Sequence, residues 1–145
     1  KEKLEVLGYG VSIWSVTSYN KLYREAEQCE RDNRLHPFKK ARVPFIKQLF
    51  SKTSGVYVAV SDFMKALPNS IASWMPENFT PLGTDGYGLS ESRADLRDYF
   101  EISPDYICHA ALVGLFRNQS IDAATLKQQL KNLDVDVEKV DPSRR

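Results

Sequence analysis

Apolar positions recur along this chain in two rhythms. Gly10 to Ser18 (Gly-Val-Ser-Ile-Trp-Ser-Val-Thr-Ser) is dominated by β-branched residues and closes on turn formers, which predicts a strand. Tyr19 to about Arg34 carries Leu22, Tyr23, Ala26 and Cys29 at helical spacing, and His36-Pro37 breaks the run. A short helix is expected to open at Val43-Pro44, with Ile46, Leu49 and Phe50 as its apolar stripe. Val56-Tyr-Val-Ala-Val60 is continuously apolar, as buried parallel strands are.

The second half repeats the alternation. Ser61-Asp62 reads as the cap of a helix running through Met64, Leu67, Ile71 and Trp74, which Pro68 kinks or restarts. Phe79-Thr-Pro-Leu-Gly83 is a weaker strand, placed at an edge or a strand start by its proline. Ser92 with Asp95 approximates a capping box ahead of Leu96, Tyr99 and Phe100. Ser103-Pro104-Asp105 opens a helix expected to face inward through Ile107, Ala110, Ala111, Gly114 and Leu115. A last helix starts at Ser120 or Asp122 and carries Leu126, Leu130 and Leu133. The order predicts one α/β domain over residues 1–145, a three-layer sandwich with a mostly parallel sheet, and a charged, loosely packed tail at 134–145. Three strands are few for such a sheet, and Lys1–Gly8 reads like the end of an amphipathic helix. A preceding strand and helix are therefore expected to be missing, and the chain to be part of a larger protein.

Composition narrows the function. With 42% hydrophobic and 27% charged residues and no apolar run of about 18, a soluble domain without a membrane span is expected. Cys29 and Cys108 lie in helical segments without a second ligand at metal spacing, so buried thiols in a reducing, cytoplasmic setting are expected. The net charge of +1 is uneven: residues 1–55 hold 11 basic and 6 acidic groups (+5), residues 56–145 hold 9 and 13 (−4). Arg31, Arg34, Lys39, Lys40, Arg42 and Lys47 concentrate the excess. Poor aromatic interleaving makes this a solvated or partner-facing surface rather than a nucleic-acid site.

The densest chemistry sits in Leu82-Gly-Thr-Asp-Gly-Tyr-Gly-Leu-Ser90, where the candidate residues are Gly83, Thr84, Asp85, Gly86, Tyr87, Gly88 and Ser90. Gly83, Gly86 and Gly88 read G-x-x-G-x-G, the reverse of the dinucleotide fingerprint, and no Gly-Lys-Ser/Thr follows. An anion at the following helix start is opposed by Asp85, Glu91, Asp95 and Asp98. Asp85 has no partner for acid–base work at readable spacing and is expected to hydrogen-bond within its own loop. Ser61 and Asp62, at a strand end, are secondary candidates. His36 and His109 reach a nucleophile pair with Cys108 or Cys29 only if the fold brings them together. Taken alone, these residues describe a binding or assembly module without a self-contained active site.

The segment L-G-T-D-G-Y-G-L-S-E-S-R-A-D-L-R-D-Y-F-E (82–101) resembles the C-terminal domain of homodimeric-type pyruvate dehydrogenases, the decarboxylating first component of the bacterial complex. Trp14–Tyr19 (W-S-V-T-S-Y), Cys29-Glu-Arg31, Leu35-His-Pro37, Arg42-Val-Pro44 and Ser61-Asp-Phe-Met-Lys65 are similar to further family motifs in the same order, and the likeness runs from about Gly8 to Pro142. Asp32 stands where the family favours tryptophan, Val60-Ser61 precedes Asp62 in place of Ser-Thr, and His109 replaces a small apolar residue. The resemblance implies a transketolase-like C-terminal domain giving scaffold and dimer contacts. It also implies thiamine diphosphate and magnesium held by upstream domains, decarboxylation of pyruvate, and transfer of an acetyl group to the lipoyl group of the dihydrolipoyl acyltransferase component. No catalytic, cofactor-binding or metal-binding residue carries over, and no cofactor is expected on this chain. The alternatives are a stand-alone module docking an acidic partner through residues 31–47, and a small hydrolase centred on Asp62 or Asp85.

Overall fold

The computed structural model describes residues 1–144. Seven helices and two strands follow one another as α1 (Glu2–Val6), α2 (Tyr19–Leu35), α3 (Phe45–Phe50), β1 (Tyr57–Val60), α4 (Ala66–Asn69), β2 (Phe79–Leu82), α5 (Arg93–Tyr99), α6 (Pro104–Arg117) and α7 (Ala123–Leu130). Single 3₁₀ turns stand at Ala72–Trp74 and Pro142–Arg144.

β1 and β2 pair in parallel, with Tyr57 beside Phe79 and Val60 beside Leu82. Residues alternate across a strand, and here that separates two helical groups. Val56 and Val58 face Leu4, Cys108, Ala111 and Leu112, the core shared by α1, α6 and α7. Tyr57 points the other way and meets Phe50 of α3 edge to face at 5.1 Å, and Phe50 meets Trp14 at 5.7 Å. The sheet lies between two groups of helices, as the apolar runs predict. Pro81 sits opposite Ala59 and donates nothing, which suits β2's position at an edge.

Several boundaries follow the sequence signals. Ser18 caps α2, its hydroxyl accepting from Lys21 N at 3.2 Å. Ser92 caps α5 through Asp95 N and Asp122 caps α7 through Thr125 N. Pro44 is the N-cap of α3, one position earlier than the expected first turn.

Other elements differ. The stretch 10–18 forms neither helix nor strand, and Ile13 and Trp14 are 74% and 55% exposed. β-branched residues select extended backbone, but a strand also needs a neighbour's ladder, and β1 pairs only with β2 among the described residues. The helix expected from Ser61-Asp62 starts at Ala66, breaks after Asn69 and resumes as a 3₁₀ turn, leaving Met64 exposed. α6 buries Tyr106, Cys108, Ala111 and Leu112; the inward face is rotated by about one residue from the expected stripe and shares Ala111, Leu115 and Gly114 with it, Gly114 lying against Val56.

The tail touches the domain at a few points. Lys139 Nζ donates to the Asp98 carbonyl and carboxylate and lies 5.1 Å from the centre of the Tyr106 ring. Tyr106 OH reaches the Asp136 carbonyl at 3.4 Å, and Pro142 is buried. Up to Arg144 most of this segment is exposed, and these few side chains of high sequence separation are what tie it to the domain.

Candidate functional site

Parallel pairing brings the ends of β1 and β2 side by side, so the two strongest sequence candidates meet. Ser61 N donates to Leu82 O at 3.1 Å, extending the ladder by one rung. Beyond it, Thr84 N donates to Phe63 O at 3.0 Å and Thr84 Oγ1 to Asp62 O at 2.8 Å. Each exposed turn thus satisfies the other's backbone groups.

Asp85 is the centre of this joint. Its Oδ1 accepts from Lys65 N at 2.8 Å and its Oδ2 lies 3.3 Å from Lys65 Nζ. Lys65 is the N-cap residue of α4, so Asp85 reaches across and serves a helix-start N–H that no local side chain serves. The expected bond within its own loop is replaced by this contact. Ser61 and Asp62 are not the caps: Ser61 Oγ accepts from Phe63 N at 3.0 Å, and Asp62 contributes its carbonyl.

The glycines divide. A Cβ on Gly83 would lie 2.5 Å from Phe63 O and 2.7 Å from Lys65 N, both backbone atoms, so the two turns approach this closely only without a side chain. Gly86 has φ +116°, and a Cβ there would lie 2.7 Å from Pro142 O. Gly88 has open space around it. Tyr87 is 85% exposed, and Leu89 and Ser90 are exposed as well. Lys65 and Pro142 are the two members of this joint that the sequence reading did not single out; Lys65 stood in the Ser61–Lys65 motif, and Pro142 had no local signal.

The remaining candidates stay apart from it. Cys29 and Cys108 are buried, free and without a hydrogen bond among the described residues, and burial raises both thiols above their usual pKa. A buried, protonated thiol is a poor nucleophile. Burial lowers the pKa of His109, opposed by Glu101. Two surface concavities, about 540 Å³ beside Phe116–Asp122 and about 300 Å³ between Asp32 and Arg42, do not border the loop. Among the described residues no His, Cys, Asp or Glu side chains group so that they would hold a metal ion, and no helix is long and apolar enough to cross a membrane.

Open α/β sheets bind ligands outside the carboxyl ends of their strands, but the joint at this end is built from backbone bonds and an ion pair. The model of the transketolase-like C-terminal domain matches residues 1–103, and the chain belongs to that family. It is 36% identical over 147 aligned positions to the pyruvate dehydrogenase E1 component of Escherichia coli K12, covering 98% of this chain and 16% of that protein. It is 39% identical to the same component of Buchnera aphidicola subsp. Schizaphis graminum, over 90% of this chain and 14% of the relative. For Pseudomonas aeruginosa the values are 35%, 93% and 15%. The chain therefore spans about one-sixth of the length of these relatives.

Proposed function

We propose that this chain is the C-terminal structural and dimerisation domain of a thiamine diphosphate-dependent pyruvate dehydrogenase. That enzyme decarboxylates pyruvate and acetylates the lipoyl group of a dihydrolipoyl acyltransferase component, in the cytoplasm. The observation that carries the reading is similarity to E1 components over nearly the whole of this chain, combined with a glycine loop whose first half spends its polar groups on the neighbouring turn. Gly83, Thr84, Asp85 and Gly86 form a structural joint; Tyr87, Gly88 and Ser90, exposed beyond it, face a neighbouring domain or the homodimer partner.

The residues present do not suit the cofactor. Magnesium with a diphosphate takes free carboxylate oxygens, and both oxygens of Asp85 are engaged by Lys65. The other acids near the loop, Glu91, Asp95 and Asp98, repel a diphosphate. Catalytic, cofactor and metal residues are accordingly assigned to other parts of the enzyme. Calorimetric titration of the 145-residue chain with thiamine diphosphate and magnesium tests this. No heat of binding is expected, and micromolar affinity would sink the proposal.

A further inference from the structure

The connection between α2 and α3 carries a surface that the fold does not use. Phe38 is 102% exposed, and Leu35 and Val43, at either end of the connection, are about half exposed. An exposed aromatic on a mobile loop would mean little. This loop is fixed: the Asn33 amide donates to Arg42 O and accepts from Arg42 N, both at 2.8 Å, and Lys39 N closes a turn on His36 O at 3.0 Å. The Arg42 guanidinium is bound to the Asp32 carboxylate. Little ordering cost remains for a partner to meet.

The unpaired charge in this stretch of the chain is basic. Arg31, Arg34, Lys39 and Lys40 form no ion pair among the described residues, although the chain has 19 acidic residues to offer. His36, Lys39, Lys40 and Arg42 line the roughly 300 Å³ groove beside the loop together with Asp32 and Asn33. An exposed apolar centre with a polar, charged rim is the arrangement of a protein-docking surface, and of the groove's cations Lys39 and Lys40 are unpaired among the described residues.

We infer that His36–Val43 docks an acidic polypeptide segment, with Phe38 as the apolar anchor and Lys39 and Lys40 pairing with its carboxylates. A nucleic acid fits less well: only one aromatic is presented for stacking, and Asp32 lies within the groove. The inference is independent of the parent enzyme's activity and concerns a surface distinct from the glycine loop.

Fluorescence anisotropy of the 145-residue chain with a labelled peptide alternating glutamate and leucine tests it, against the same peptide with glutamine and against single-stranded DNA. The glutamate peptide is expected to bind most tightly and to weaken with added salt. Phe38→Ala, and separately Lys39→Gln with Lys40→Gln, should each weaken it about tenfold. Because Phe38 makes no packing contact, its variant should melt with the parent chain. Equal binding of the glutamine peptide, tighter binding of DNA, variants that bind like the parent, or absence of binding overturns the inference. So does self-association abolished by Phe38→Ala, which would make the occupant a second copy.

Discussion

The two halves of the glycine loop look alike in sequence and behave oppositely in structure. Gly83–Gly86 is pressed between the 61–65 turn and the tail, with Thr84 and Asp85 hydrogen-bonded to that turn and Gly86 close against Pro142. Tyr87–Ser90 stands in solvent, and Gly88 could carry a side chain without touching anything. Glycine density therefore marks two things here: a required close approach at Gly83 and Gly86, and open surface at Gly88. The first half is explained by contacts within this molecule, and the neighbour proposed for the second half is what substitutions there would probe.

Substitutions can break that contrast, beginning with the largest effect. Gly83→Ala drives a methyl group into two backbone atoms that cannot rotate away, and should cost about 3 kcal/mol or more in urea unfolding. Gly86→Val places a β-branched residue at positive φ against Pro142, with an expected loss of about 2–3 kcal/mol. Part of that loss should vanish when the residues after Asp136 are removed, since Pro142 is one of the two sources of crowding. Asp85→Ala strands Lys65 N and removes a half-exposed ion pair, for about 1–2 kcal/mol, most of it from the charged hydrogen bond rather than from the surface pair. Gly88→Ala should change stability by less than about 0.5 kcal/mol. Equal losses at Gly83 and Gly88 would erase the distinction between the halves.

A smaller effect is expected from His109, whose pKa burial lowers in the fold. With the folded value below the unfolded one, near 6.5, the unfolded chain takes the proton first as pH falls. The stability present above pH 6.5 should decline below it until the folded pKa is passed. His109→Gln should remove that slope, so the melting temperatures of the two chains should converge or cross on acidification.

Much of the fold was legible because its signals are local. Val56–Val60, the α2 stripe, and the caps at Ser92 and Asp122 are read from a handful of neighbouring residues each. What escaped depends on partners far along the chain. The 10–18 stretch has strand composition, but composition does not supply the adjacent ladder. Asp85 looks like an Asx-turn residue until parallel register sets the 61–65 turn beside it and offers Lys65 N. The tail has no periodicity because three or four separate anchors, Lys139, Asp136 and Pro142 among them, hold it. The glycine loop itself was identified correctly as a strand-to-helix connection; its division into a welded half and a free half needed coordinates.

The central claim is that Asp85 and its loop hold structure and perform no chemistry. The most direct measurement is turnover and melting of Asp85→Ala in the full-length dehydrogenase proposed as the parent. The account predicts a lowered melting temperature with kcat per folded active site within about threefold of the parent's. A kcat lowered by about 10² or more, the scale of a lost general acid or base, at an unchanged melting temperature would contradict it.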